Sequence, residues 1–114
     1  MVSRGEMHWV DFGEPVGSEP GYRRPALVVS SDRFNRSRIS AVIVTAVTSN
    51  LRIADAPGDV EVEAGAANLR KDCVVNVSQT MVVDRMRLTG LIGRLDMVAQ
   101  RQVDDGLRLV LGLA

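Results

Sequence analysis

The 114-residue chain has one cysteine, one histidine, one tryptophan, one tyrosine and two phenylalanines. Each scarcity removes a class of chemistry. Cys73 alone builds neither a disulfide nor a thiolate metal site, and among the β-branched residues of KDCVVNV it reads as a small buried hydrophobe. With His8 as the only histidine, metal centres of the usual kind and Cys/His or Ser/His/Asp catalysis are poorly supported, and His8 beside Trp9 reads as structural or surface. No G-x-x-x-x-G-K-[ST] loop and no G-x-S-x-G elbow occurs. No apolar run approaches the roughly 18 residues of a membrane span. The start, MVSRGEMHWVDF, has an early arginine but no apolar core of a secretion signal, so a cytoplasmic location without membrane contact is expected.

Lysine is scarce too, with Lys71 standing alone, so the positive charge is nearly all arginine. Net charge is zero, but the signs are segregated. Arg23, Arg24, Arg33, Arg36, Arg38 and Arg52 crowd the stretch from Pro20 to Arg52 against Asp32 alone. Asp55, Asp59, Glu61 and Glu63 follow with no base among them. A guanidinium is a planar fork of donors suited to phosphate and base edges. Codon usage favouring arginine is the plainer explanation of part of the total.

The patterning predicts one domain, residues 1–114, built mainly of β-strands with one helix. EMHWVDF, PALVVSS, AVIVTAVTSN, GDVEVEAG, DCVVNVSQTMVV and LTGLIGRL read as strands, the fourth as an edge. A Gly/Pro/Ser loop runs from Gly13 to Arg24, longer than a hairpin needs. SDRFNRSRIS reads as a helical turn capped by Ser31 or Asp32. The last segment changes period: Ala99, Val103, Leu107, Val110 and Leu111 follow helical spacing, with Asp96 as N-cap, Asp104 and Arg108 as an i,i+4 pair and Gly112 as stop. A strongly bent antiparallel sheet or partial barrel, covered by the C-terminal helix, is the expected architecture.

Arg24 precedes Pro25, which holds its backbone extended at the entrance of a strand. Thr48 ends the next long strand. If the two strands are neighbours, Arg24 and Thr48 meet at one rim beneath the loop of Gly17, Ser18 and Glu19, around a gap the size of a phosphate. The alternative is that Arg24 pairs with Glu19 and Thr48 only caps a strand.

RGEMHWVDF, GSEPGYRRPALVVS, AVIVTAVTSN, DCVVNVSQTMVVDRMRL and IGRL, followed by an amphipathic helix, resemble in order the MazF/PemK toxins of bacterial toxin–antitoxin pairs. The resemblance covers almost the whole chain. It implies a small SH3-like antiparallel barrel with a C-terminal helix, similar to the gyrase poison CcdB. It also implies a homodimeric, sequence-specific, ribosome-independent endoribonuclease held inactive by a cognate antitoxin, with single-stranded mRNA, rRNA or tRNA as substrate. By the same resemblance Arg24, Thr48 and Glu19 are catalytic. The 2′-OH attacks the adjacent phosphate, giving 2′,3′-cyclic phosphate and 5′-OH ends without metal or cofactor. Glu19 either orients Arg24, the favoured role, or accepts the 2′-OH proton. Asn76, Ser78 and Gln79 read base edges, and Tyr22 is the stacking platform, Trp9 and Phe12 being better placed in a core. Arg23 supports Arg24 and Ser18 lies in the closing loop. Asn35 and Arg36 track the RNA backbone or form a solvated basic turn. Ser78 and Met81 depart from the acid and the base common in relatives, so the recognised sequence does not transfer. The rival reading is a non-catalytic, CcdB-like poison that binds a protein such as gyrase.

Overall fold

A computed structural model describes residues 2–18 and 21–114. Glu19, assigned above to the catalytic loop, lies outside the described residues. Among the described residues six strands form one antiparallel sheet: β1 (Glu6–Asp11), β2 (Arg23–Val28), β3 (Ala41–Thr48), β4 (Val60–Val62), β5 (Cys73–Asp84) and β6 (Leu88–Arg94). Their spatial order is β4-β5-β3-β2-β1-β6, so β4 and β6 are the edges. A short helix α1 (Asp32–Asn35) links β2 to β3, and α2 (Met97–Leu111) follows β6. The expected bent antiparallel sheet with a C-terminal helix is the observed architecture.

Both faces of the sheet are apolar, which period-2 alternation distributes. Met7, Leu27, Val47, Val75 and Val77 face one way and pack with Leu95 and Val103, the latter from α2. Val10, Ala26, Val28, Val42, Val44 and Val83 form a second cluster on the other face, flanked by Phe12, Met81 and Leu88. Each buried Val or Leu contributes about 1.5–3 kcal/mol over exposure. Met81, partly buried, packs against the second cluster.

Caps define the helices as the sequence predicts. Ser31 Oγ accepts from the Phe34 N–H at 3.1 Å, and Asp96 Oδ1 accepts from the Ala99 N–H at 2.8 Å. Gly112 takes the left-handed conformation at the end of α2 (φ 70°). Three expectations need correction. Arg108 bonds Asp105 at 2.8 Å, because Asp104 is taken by Arg4 of the N-terminal segment. Val110 and Leu111, at the C-terminal end of α2, are exposed. And β2 starts earlier and ends sooner than PALVVSS, because Arg23 and Arg24 pair with Asp11 and Val10 of β1.

Candidate active site

The sequence Arg23-Arg24-Pro25 decides the local geometry. As strand neighbours the two arginines face opposite sides of the sheet. Arg23 lies over the Trp9 ring, 4.5 Å from its centroid, and its Nε donates to Thr89 Oγ1 at 3.3 Å. Arg24 shares the face of Ala26 and Val28 and so continues the second cluster outward. Its Nε donates to the Gly21 carbonyl at 2.9 Å, which fixes the start of the guanidinium.

Between β2 and β3 the ladder runs Val28↔Val44, Leu27↔Thr45, Ala26↔Ala46 and stops. Pro25, with no N–H to offer, stands where it stops. The same register carried two residues further sets Arg24 opposite Thr48. On the other side of β2 the ladder continues to Asp11↔Arg23. An open seam thus lies between two strands that are zipped elsewhere.

That seam is a pocket of about 240 Å³ lined by Ser18, Arg24, Ala46, Val47, Thr48, Asn50, Ile53, Asn76 and Gln79. Its far wall is an irregular part of β5. Thr45 pairs with Thr80 but Ala46 pairs with Asn76, so Val77, Ser78 and Gln79 bulge from the ladder. Gln79 Nε2 donates to the Ser18 carbonyl at 3.2 Å, tying the 13–22 loop to the bulge. At its neck the loop is closed by two bonds, Tyr22 N–H to Gly13 O at 2.5 Å and Phe12 N–H to Tyr22 O at 2.8 Å.

Of the residues expected at the site, Arg24, Thr48, Ser18, Asn76 and Gln79 line this one pocket. Ser78 is beside it, exposed, its Oγ donating to Asn76 Oδ1 at 2.7 Å. Tyr22 is 64% exposed, with left-handed backbone (φ 61°), a conformation costly for a bulky residue and found where a loop holds a side chain out. Arg23 is on the opposite face, engaged with Trp9, and Arg36 is exposed after α1. Asn35 requires correction. It is 0% exposed. Its Nδ2 donates to the Ser30 carbonyl at 3.0 Å while the Ser30 hydroxyl donates to its Oδ1 at 2.5 Å, leaving no face toward a ligand.

Asn50 and Ile53 were not anticipated as pocket residues. Asn50 Oδ1 caps a short turn by accepting from the Arg52 N–H at 3.2 Å, and that turn brings Ile53 over the seam. A strand ending in Thr-Ser-Asn was the available signal.

Away from the pocket, the titratable groups serve structure. His8 and Glu6 bond at 3.1 Å. Burial by itself would raise the Glu6 carboxyl, but the Ser3 N–H, His8 and Arg94 together hold it below the ordinary value. Asp104 is likewise lowered against its burial by bonds from Arg4 and Gln100. Burial pushes the Cys73 thiol up, as the sequence expectation of a buried hydrophobe requires. Among the described residues no cluster of three or more His, Cys, Asp or Glu is placed to hold a metal ion. No described helix is long and apolar enough to cross a membrane.

The pocket offers one guanidinium, two hydroxyls and three amides around its opening, a set of donors suited to an anion carried on a hydrogen-bonding ligand. Comparison with known proteins agrees. Endoribonuclease MazF2 of Mycobacterium bovis is 42% identical over 113 residues, 99% of each chain. Endoribonuclease EndoA of Bacillus subtilis is 36% identical, over 99% of this chain and 97% of its own. Among solved structures, MazF of Deinococcus radiodurans superposes with a TM-score of 0.79 at 26% identity, covering 98% of this chain and 97% of that one. A mycobacterial endoribonuclease solved in complex with its cognate antitoxin shares the fold with a TM-score of 0.82 at 20% identity, covering 100% and 98%. The family of PemK-like, MazF-like toxins of type II toxin–antitoxin systems matches residues 3–111, and the chain belongs to it.

Proposed function

We propose that this protein is a sequence-specific endoribonuclease toxin that cuts single-stranded RNA in the seam between β2 and β3, acts in the cytoplasm as a homodimer, and is neutralised by a cognate antitoxin. The observation that carries the reading is Arg24 set opposite Thr48 across an unzipped register, with the amides of Asn76 and Gln79 around the gap. In the reaction the ribose 2′ oxygen attacks the adjacent phosphorus. A 2′,3′-cyclic phosphate forms as the bond to the 5′ oxygen breaks, and that oxygen leaves with a proton.

Arg24 stabilises the charge that accumulates on the phosphorane oxygens and hydrogen-bonds the leaving 5′ oxygen; a guanidinium is never deprotonated in proteins, so it is neither base nor proton source, and the leaving oxygen takes its proton from water. Thr48 donates its hydroxyl hydrogen to a non-bridging oxygen. Glu19 orients Arg24 or takes the 2′-OH proton. Asn76, Ser78 and Gln79 read base edges, Ser18 bonds from the loop, and Tyr22 stacks on a splayed base. Arg23, on the other face, steadies the start of β2 through Trp9, and Arg36 meets the RNA backbone beyond the pocket. The chemistry needs no metal and no cofactor. A protein-binding poison has no use for the Arg24–Thr48 seam, and the relatives named endoribonucleases at 42% and 36% identity favour catalysis.

The test is incubation of wild-type and Thr48→Ala protein with a long single-stranded RNA in EDTA, mapping fragment 5′ ends. Discrete cuts bearing 5′-OH are expected, slowed about 10²–10³-fold in the variant, the usual effect of removing one transition-state donor. A folded wild-type dimer that cuts nothing would overturn the proposal and return gyrase to consideration.

A further inference from the structure

The base-reading wall of the pocket stands on a bulge, and a bulge loses ladder hydrogen bonds that its backbone must recover elsewhere. Three side chains supply them. The buried Thr45 hydroxyl donates to the Asn76 carbonyl at 2.5 Å, and the Thr80 hydroxyl donates to the Val77 carbonyl at 2.7 Å. The Val77 N–H donates to Asp59 Oδ1 at 3.0 Å. The two threonines belong to the strands that carry the bulge. Asp59 does not: it comes from the turn before β4 and lines no part of the Arg24–Thr48 pocket.

The turn that holds Asp59 is firmly seated. Its own N–H donates to the Ala56 carbonyl at 3.1 Å. Gly58, beside it, sits so close to α2 and β5 that a Cβ there would stand 2.8 Å from the Gly106 carbonyl and 2.8 Å from Val77 Cγ2. Asp59 Oδ2 is buried with no hydrogen-bond partner. Half-burying an acid with one oxygen unsatisfied is unfavourable for stability. The compensating contact is the Val77 N–H, at the first residue of the bulge that presents Ser78 and Gln79.

We infer that Asp59 is a positioning residue for RNA sequence recognition, its carboxylate holding the Val77 N–H so that Gln79 in the seam and Ser78 beside it stand at a fixed height. This rests on the ribonuclease reading above. Asp59 touches neither the RNA nor the reacting atoms. It acts through the backbone of the bulge.

The experiment uses the full-length protein and Asp59→Ala, Asp59→Ser and Asp59→Asn. Each is melted, then given the long single-stranded RNA with 5′ ends mapped, then an oligonucleotide carrying the wild-type motif for KM and kcat. Asparagine keeps a carbonyl oxygen for Val77 and is expected to keep the motif. Alanine is expected to widen the motif and raise KM about tenfold with kcat little changed, the size of one lost hydrogen bond to a buried N–H. Serine, too short to reach, behaves as alanine and serves if alanine does not fold. In a Gln79→Ala background the alanine effect on KM should largely vanish, because coupled residues are non-additive. Variants that melt lower but keep the wild-type motif and KM would overturn the inference while leaving the ribonuclease standing. A wild-type protein that cuts no RNA would overturn both.

Discussion

Gly106 sits in the middle of α2, where a helix ordinarily gains from alanine. Replacing an exposed interior glycine by alanine stabilises a helix by about 1 kcal/mol, through the entropy of the unfolded chain. Here the opposite is expected. A Cβ on Gly106 would fall 3.0 Å from the Gly58 carbonyl carbon and 3.1 Å from its Cα, and closer still to the Gly58 oxygen. All three are backbone atoms and cannot swing aside. To restore van der Waals distance the helix and the turn before β4 must part by roughly 1 Å, loosening Val103 against Val77 in the first core. Overpacking costs about 1–3 kcal/mol; with three backbone atoms in the way the upper part of that range applies, about 2–3 kcal/mol, and it outweighs the propensity gain of about 1 kcal/mol. A net loss of about 1–2 kcal/mol corresponds to a Tm lower by about 4–8 °C for a chain of this length. The assay is thermal melting followed by circular dichroism at one fixed protein concentration, since a dimer's Tm depends on concentration. Arg101→Ala, on the exposed side of the same helix, controls for propensity. A Gly106→Ala protein that melts at or above the wild type would refute the close approach of helix and turn.

Arg24→Ala should reduce cleavage at least 10²-fold while leaving Tm within a degree or two, because the side chain is at an exposed rim; a variant that unfolds would show the arginine to be structural. Asn35→Ala should lose about 1–3 kcal/mol of stability, from the unsatisfied Ser30 groups it leaves buried, with RNA binding by the folded fraction unchanged when followed by a filter assay. The lowered carboxyls of Glu6 and Asp104 make stability pH-dependent. Their contribution is fully present above the unfolded values of 4.5 and 3.8 and is lost as pH falls through the lower folded values. Denaturant midpoints measured between pH 6 and 3 should therefore fall in the wild type, and fall less steeply in Asp104→Asn.

Local signals were legible, and most long-range ones were not. Asp96 and Gly112 announce the ends of α2 because capping is chemistry between neighbours. Arg24 and Thr48 meet if β2 and β3 are neighbours, which strand order suggests, and the observed register supplies that condition. Asp104 looks like a partner for Arg108 until Arg4, at the other end of the chain, takes it. Asn35 reads as a polar surface residue because its bond to Ser30 depends on α1 folding back against β3. The bulge left a trace: in VVNVSQTMVV the alternation holds to Val77 and then meets three polar residues in a row. That break in period was visible, but not the aspartate that fills it.

The seam beside Pro25 also bears on how such a protein meets a flexible ligand. A strand edge in the middle of a sheet is usually the least accessible backbone a protein owns, since both sides are spoken for. Here a ring that closes on its own nitrogen withholds one donor and interrupts the weave at one point. What is left is a slot whose two walls belong to the same rigid fabric, so its width does not drift with loop motion. An incoming nucleotide chain meets a fixed gauge.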